Sequence, residues 1–418
     1  MKKYDLTIIG GGTAGCACAY IAGLSGLKTL LIEKNIHLGG AVSSGLVLPA
    51  MQSSKNQINT TFFNHLCKEL DSLGGHITYQ DNAGWFNPEL IKIALDRMMN
   101  ASNVDVLFNS SFNLITVNKN NSFSLNLLPD ILSVYIETRY IVDATGNADV
   151  AKYLGCEFLE EKLQPSSLRF QMSGVNLENF SNWILELDKD RNVTTVERKD
   201  NQIHLSTACT NQGVWALQSL FRQAVKEGVL KDTDCNYFQI FTVAGMPDTI
   251  NFNCPRIYSK PELNPLNTIE VSKALVDVRE AILRISNFCK KYLSGFENAY
   301  ISNIADELGV RVSRRVRGKY VYTKDDLING KTFKTPVLIG NYPIDVHSND
   351  KSGGKLERVM QDYQVPIEAL MSNDYSNLFV IGRCLSADFE AQAALRIQPS
   401  CFSMGEGVAK YICKNFIN

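Results

Sequence analysis

An excess of charge of either sign is missing from this 418-residue chain, in which 42 Lys and Arg stand against 43 Asp and Glu, a formal net charge of −1. A chain so balanced has no global field to draw it onto nucleic acid or an anionic membrane. Paired cysteines are missing too. The 11 cysteines are an odd number with no C-x-x-C and no Cys/His ligand spacing. That argues against a disulfide frame and against a metal site, and it reads as free thiols in a reducing, cytoplasmic compartment. Histidine is scarce, at five, so few side chains are candidates for acid–base work near neutral pH. Internal repeats and low-complexity linkers are lacking, which excludes a solenoid or a tethered array. One uncharged run, the 22 positions from Leu6 to Leu27, has the length of a membrane span or export signal. Six of those positions are Gly, clustered centrally rather than at a cleavage site, and Asp5 stands in front. The run therefore reads as a nucleotide-binding turn.

What is present is the balance of a globular protein, 45% apolar and 20% charged, with length enough for two domains. Tyr4 to Ile9 is a β-favouring run, Gly10 to Gly15 a turn, Ala14 to Leu24 a helix of small residues, and Lys28 to Ile32 a second strand. Strand, Gly turn, helix, strand is the βαβ unit of a parallel sheet. Helical spacing follows from Ile58 to Leu73, and Asn87-Pro88-Glu89 opens a helix through Met99. Val104 to Phe108, Phe112 to Val117, Ser122 to Leu127 and Leu132 to Ile136 read as a small meander, and Arg139 to Val142 as a further strand. Beyond Gly155 come amphipathic helices at Trp215 to Glu227 and Ile269 to Leu293, and a polar edge hairpin or loop from Asp188 to Gln202. A strand at Leu378 to Ile381, then Gly382, and a helix opened by Pro399-Ser400 close the chain. The expectation is an α/β protein. A Rossmann-like dinucleotide domain of glutathione-reductase type is split between residues 1–155 and 370–418. An α+β substrate domain, residues 156–369, is inserted between them.

The first turn has a physical task. Gly10 permits the tight turn, Gly12 lets backbone approach a pyrophosphate, and Gly15 lets helix and strand pack closely. Thr13 and Ala14 sit at the helix start, whose free N–H groups and dipole favour phosphate. Glu33, 21 positions after Gly12, stands where a carboxylate accepts from a ribose 2′-OH, with Lys34 beside it; an acid there disfavours a 2′-phosphate. Three further features favour FAD over NAD. The small-residue loop with Gly40, Ala41, Ser44 and Gly45 can run beside a ligand that continues past the pyrophosphate. Ala144, Thr145 and Gly146 form a second small-residue strand end. Gly382 and Arg383 follow the last strand, and the helix start at Pro399-Ser400 would stabilise negative charge at the flavin N1/O2 edge.

In order along the chain, IIGGGTAGCACA, LIEKNIHLGGAVSSGLV, IVDATGNADVAKYLG, LGVRVSRRVRGKYV, NYPIDVH and LFVIGRCLSADFEAQAALRIQPSCFSMGEG resemble the FAD-dependent oxidoreductase family related to fumarate reductase and succinate dehydrogenase flavoproteins. LQPSSLRFQMSGV and FNCPRI are similar to its middle segments. The resemblance implies FAD-holding roles for Gly10, Gly12, Gly15, Glu33, Gly40, Gly45, Gly382 and Arg383. It also implies an adenine-side backbone contact at Phe112. Glu406 interrupts the expected Ala/Gly-rich helix start.

No second G-x-G-x-x-G lies between Gly155 and Asn377, so electrons are expected from an organic substrate or a separate donor or acceptor. Arg311, Arg314, Arg315, Arg317 and Lys319 form the one dense basic run. It reads either as a solvated edge with one wet face or as anion recognition, and the resemblance favours a site role for Arg311 and Arg314. Arg396 resembles the arginine that related fumarate reductases place over a substrate carboxylate, a role its bidentate fork suits; its other reading is an ion pair with Asp388 or Glu390. His347 is the foremost general-base candidate, sharing a face with Asp345 if extended, and His204 is second. Cys401 reads as a buried thiol, with a covalent cofactor link as the alternative. The expected function is hydride transfer between flavin and a small organic substrate, anionic on the argument from Arg311, Arg314 and Arg396. The alternatives are a C=C reductase of the fumarate-reductase kind and a non-catalytic nucleotide-binding scaffold; an RNA-modifying flavoprotein is disfavoured by the charge. No nucleic-acid or membrane partner is expected.

Overall fold

The computed structural model describes residues 2–128, 135–199, 202–208, 215–348 and 354–417. β1 (Lys2–Ile9) leads through the Gly turn into α1 (Thr13–Leu24) and on to β2 (Thr29–Ile32), which lies parallel to β1 with Ile8 opposite Leu31. Asp105–Leu107 extends the sheet beyond β2, again in parallel. On the other side β1 pairs in parallel with Tyr135–Asp143, Ile8 opposite Val142. The far side of that long strand is shared. Its first half takes the antiparallel hairpin Ser111–Val117 and Phe123–Leu128, and its second half takes Leu378–Val380 in parallel, with Phe379 opposite Val142. The N-terminal and C-terminal strands thus belong to one mixed, seven-stranded sheet.

Two expectations change. The segments read as separate strands around Ile136 and Arg139 are one strand, because Glu137 and Thr138, polar enough to look like a break, are paired with Ser124 and Phe123; Leu132, Ser133 and Val134 lie outside the described residues. Asp105–Leu107 belongs to the parallel edge and not to the meander, because β2 there is buried on both faces and needs a partner.

Small residues in α1 serve close helix packing. Ala14, Gly15, Cys16, Ala17, Cys18 and Ala19 are buried, and α1 lies against the closing helix Gln398–Ile417. A Cβ on Gly405 would sit 2.2 Å from the Ala14 carbonyl oxygen, so the two backbones touch. The closing helix is unbroken at Glu406. That side chain is fully buried, accepts the Phe62 N–H at 2.8 Å and meets Lys410 at 2.7 Å, so its carboxylate serves a free N–H at the start of the helix Thr61–Ser72.

A second sheet of six strands has the order Thr194–Lys199, Gln202–Ala208, Gln239–Val243, Met246–Phe252, Phe170–Ser173, Tyr300–Ile304, each pair antiparallel. The polar stretch after Asp188 supplies its edge hairpin. Alternation divides the central strands. Phe170, Met172, Ile240, Ile250 and Phe252 enter a core with Phe180, Phe221, Ile285 and Phe288 from helices Leu177–Leu187, Gln218–Lys226 and Thr268–Tyr292. The other face carries Arg169, Gln171, Gln239, Asn251 and Asn253. Gln171 Nε2 donates to Asn251 Oδ1, and Asn251 Nδ2 donates to the Leu46 carbonyl at 3.3 Å, which seats this polar face against the first glycine loop. Among the described residues, no helix is long and apolar enough to cross a membrane.

Candidate functional site

A cleft of about 910 Å³ lies between the Gly-rich ends of the first sheet and the polar face of the second. That volume is near the upper end of the ~300–1,000 Å³ usual for small-molecule sites. Gly10, Gly12, Thr13, Ala14, Glu33, Lys34, Gly40, Ala41, Gly45, Phe112, Ala144, Thr145, Gly146, Gly382 and Arg383, all expected from sequence, line it. Gly10 has φ +107°, and a Cβ there would lie 2.4 Å from the Ala144 carbonyl oxygen, so that turn requires glycine. Gly12 is different. A Cβ on it would meet nothing within 4 Å, because its Cα faces the open cleft.

Glu33 is buried and binds the turn itself. Its Oε2 accepts the Gly11 N–H at 2.6 Å and its Oε1 the Asn35 N–H at 2.8 Å, while burial raises its pKa. At the opposite end Arg383 donates to Asn147 Oδ1 at 3.0 Å, but its Nε has no partner among the described residues. Gln398 binds the Val47 carbonyl at 2.7 Å through Nε2, and its Oε1 is likewise buried without one among them.

Some expected residues are elsewhere. Gly15 is beneath the turn, where a Cβ would be 1.9 Å from the Gly10 oxygen. Ser44 is buried under the loop, with its carbonyl accepting from Asp306 N–H at 2.9 Å. Pro399 and Ser400 are not part of the cleft wall, which is formed at that helix start by Ile397, Gln398 and Cys401. The Cys401 thiol is buried and pushed up to about 12, the state of an inert thiol rather than a reactive one. Arg314 is not in the cleft wall; it is held by Asp149 Oδ1 at 2.9 Å and the Asn147 carbonyl at 3.1 Å. The wet-face reading of the basic run is also corrected. Arg311 and Arg315 are buried, because this segment is wedged between the strand Phe170–Ser173 approach and the last Gly unit rather than lying along an edge. His204 is buried in the second sheet, outside the cleft wall.

One end of the cleft gathers charge. The strand Ile344–His347 sets Asp345 and His347 on one face. Arg396 Nη2 meets Asp345 Oδ2 at 3.3 Å and its carbonyl at 3.1 Å, not Asp388 or Glu390. Asp388 instead caps the helix Phe389–Leu395. His347 Nε2 is 3.0 Å from Asp345 Oδ2, and its Nδ1 is 2.6 Å from Arg256 Nη2. Since arginine only donates, Nδ1 accepts and the proton sits on Nε2, facing Asp345. Burial, followed by the charge of Arg311, pushes His347 down to about 3. Both ring nitrogens of His347 are thus engaged and the imidazole is held neutral, with its basicity reduced. Asp345 is held far below the usual carboxylate range; burial opposes this, but the His347 hydrogen bond and the charges of Arg396 and Arg311 outweigh it.

Arg311 donates Nη1 to the Pro165 carbonyl and to Ser167 Oγ, and burial, then Arg256, Arg396 and Arg169, hold its guanidinium below the ordinary value. Arg169, Arg256, Tyr237 and Tyr342 are the residues missed from sequence. Arg256 lies 3.9 Å over the Tyr237 ring, and Tyr237 donates to Gln239 Oε1 at 2.7 Å. A signal for Arg169 existed in the alternation Ser167-Leu168-Arg169-Phe170-Gln171-Met172, which puts every second, polar residue on one face. Among the described residues, no group of three or more His, Cys, Asp or Glu is placed to hold a metal ion.

The model of the family described as FAD dependent oxidoreductase matches residues 5–413. Ferredoxin–NADP reductase 3 of Lysinibacillus sphaericus (strain C3-41) is 62% identical over 39 residues, a stretch spanning 9% of this chain and 11% of that protein's length. A geranylgeranyl bacteriochlorophyll reductase-like structure from Thermoplasma acidophilum is similar over 100% of this chain and 79% of its own, at 13% identity and a TM-score of 0.47. The p-nitrophenol 4-monooxygenase of Pseudomonas putida DLL-E4 is similar over 100% and 80%, at 9% identity and a TM-score of 0.48.

Proposed function

On the premise that this chain belongs to the FAD dependent oxidoreductase family and is an FAD-dependent oxidoreductase, we propose that it transfers a hydride between flavin and a small organic substrate carrying an anionic group. The observation that supports this most is the charge at one end of the cleft, where Arg169, Arg311 and Arg396 line the wall with Asp345, and Arg256 stands behind His347. Such an excess of buried cationic charge is costly unless an anion joins it.

The residues present fit FAD. The Gly12 Cα faces open space where a pyrophosphate would need close approach, and Arg383 and Gln398 offer buried polar atoms without partners among the described residues at the far end. Gly10, Gly12, Thr13, Ala14 and Glu33 would hold the adenosine and pyrophosphate part, with Lys34 and Phe112 beside it. Gly40, Ala41, Gly45, Ala144, Thr145, Gly146, Gly382 and Arg383 would hold the rest, with Ser44, Gly15, Pro399 and Ser400 supporting from behind. When bound, FAD supplies a two-electron acceptor or donor at the flavin ring.

The chain's own side chains orient the substrate and exclude water. Arg396, fixed by the carboxylate and carbonyl of Asp345, presents a positioned cation. Arg311, hydrogen-bonded only to neutral oxygens, shares the single Asp345 carboxylate with Arg396. His347 works as a neutral link that donates to Asp345 and accepts from Arg256, so it sets the geometry of the pair rather than taking a substrate proton. In this reading residues 1–155 and 370–418 form a glutathione-reductase-type cofactor domain, and 156–369 an inserted substrate domain. The partners are a small molecule and a separate electron donor or acceptor, with neither nucleic acid nor membrane.

A C=C reductase of the fumarate-reductase kind shares the same charged end, and the resemblance of the segment from Gly382 to Ser400 favours it as the second reading. An anaerobic screen of amines, hydroxy acids and unsaturated acids tests both. Flavin bleaching by a hydroxy or amino acid supports oxidation, and reoxidation of reduced flavin by an unsaturated acid supports the reductase. Bleaching by neutral amines alone overturns the anionic reading.

A further inference from the structure

Not all four arginines are equally available. Arg396 is spent on Asp345, Arg256 on His347 and the Ser348 carbonyl, and Arg311 on Pro165 and Ser167. Arg169 is 8% exposed and lines the cleft, yet its Nε is buried without a partner, and its guanidinium has no hydrogen bond or ion pair among the described residues. It stands just before the strand Phe170–Ser173, on the polar face, with its backbone fixed by the Ala305 N–H at 2.9 Å. Gly309 makes the room: a Cβ there would be 2.8 Å from Arg169 Nη1. Burial, and then the neighbouring Arg396 and Arg256, lower its pKa to about 10 and outweigh the opposing pull of Tyr237. A buried guanidinium that the fold makes space for and leaves unpaired has its five donors free for a ligand.

We infer that Arg169 receives the substrate's oxyanion, a carboxylate or a group of comparable charge and size, and so determines specificity for acids over their neutral amides. This deepens the anionic reading proposed above and rests on it. Arg311 and Arg396 supply field and orientation, while Arg169 makes the direct fork.

The FAD-loaded protein is titrated with acetate, malonate and phosphate, and with malonamide as the neutral isostere, following the flavin absorbance. The wild-type protein is expected to respond saturably to at least one anion and not to malonamide. Arg169→Met should weaken that anion by about 10- to 100-fold, with Arg169→Lys intermediate and FAD content unchanged. Removing an unpaired buried charge should also raise the melting temperature of the anion-free, FAD-loaded protein, the reverse of what a structural arginine would do. Unchanged anion affinity in Arg169→Met, loss of FAD from it, or a lowered melting temperature overturns the inference and leaves the proposed function standing. Failure of the wild-type protein to bind any of the three anions overturns both.

Discussion

Replacing Gly12 by Ala separates the fold from the cofactor site. Gly12 precedes α1 at φ −77°, ψ −170°, an extended conformation that any residue adopts. Its added methyl would meet nothing within 4 Å. Two small terms act on stability: Ala is a poorer helix N-cap than Gly, and it stabilises by about 0.4–1 kcal/mol through the lower entropy of the unfolded chain. They oppose each other, so the FAD-free variant should keep its stability to within about 1 kcal/mol. The methyl does, however, occupy the space into which a pyrophosphate must come to reach the free N–H groups of α1. Each charge-assisted hydrogen bond lost there is worth ~1.5–3 kcal/mol, or about 10- to 100-fold in Kd. Titration of FAD-free protein by quenching of flavin fluorescence, beside a thermal melt, reads both quantities. Gly15→Ala is the contrasting control, since its Cβ would lie 1.9 Å from the Gly10 oxygen and must move backbone; it should destabilise the fold. A Gly12→Ala protein that binds FAD as tightly as wild type would refute the placement of the pyrophosphate.

Further consequences concern the charged end of the cleft. Asp345→Asn removes the carboxylate that Arg396 and His347 face, leaving buried cations uncompensated; a loss of roughly 3–5 kcal/mol is expected from denaturant unfolding. His347 is held near pKa 3 when folded, against about 6.5 unfolded, so the unfolded chain alone takes up that proton between those values. Stability should therefore fall as pH drops from about 6.5 towards 3, by up to roughly 1.4 kcal/mol per pH unit. Asp143, raised to about 6 by burial, acts in the opposite direction between its ordinary value and 6. The difference between wild type and His347→Gln isolates the histidine contribution. A stability difference that does not change with pH would show the imidazole to be exposed.

The sequence made the first βαβ unit legible because its determinants are local: glycines at fixed spacing, small residues in α1 and an acid at the end of β2. The strand Leu378–Val380 was legible for the same reason. What escaped depends on contacts between distant segments. Arg314 and Arg311 are three residues apart in one basic run, and only the wedging of that segment sends Arg311 into the cleft and Arg314 to Asp149. Arg169 was not singled out, because its place in the cleft wall is decided by which sheet face meets the first glycine loop, through Asn251 and Leu46. Glu406 looked like an intrusion in a helix start, yet it answers an N–H at Phe62, 344 residues earlier. His347 drew attention as a base because its two partners, Arg256 and Asp345, cannot both be seen from one stretch of chain.

The most direct test of the whole account is anaerobic absorbance of the FAD-loaded protein mixed with matched acids and their neutral amides. The account predicts that flavin is reduced, or reduced flavin reoxidised, by members of the acid series, and that the corresponding amides are inert. Equal reaction with acids and amides, or reaction with amides alone, would contradict it.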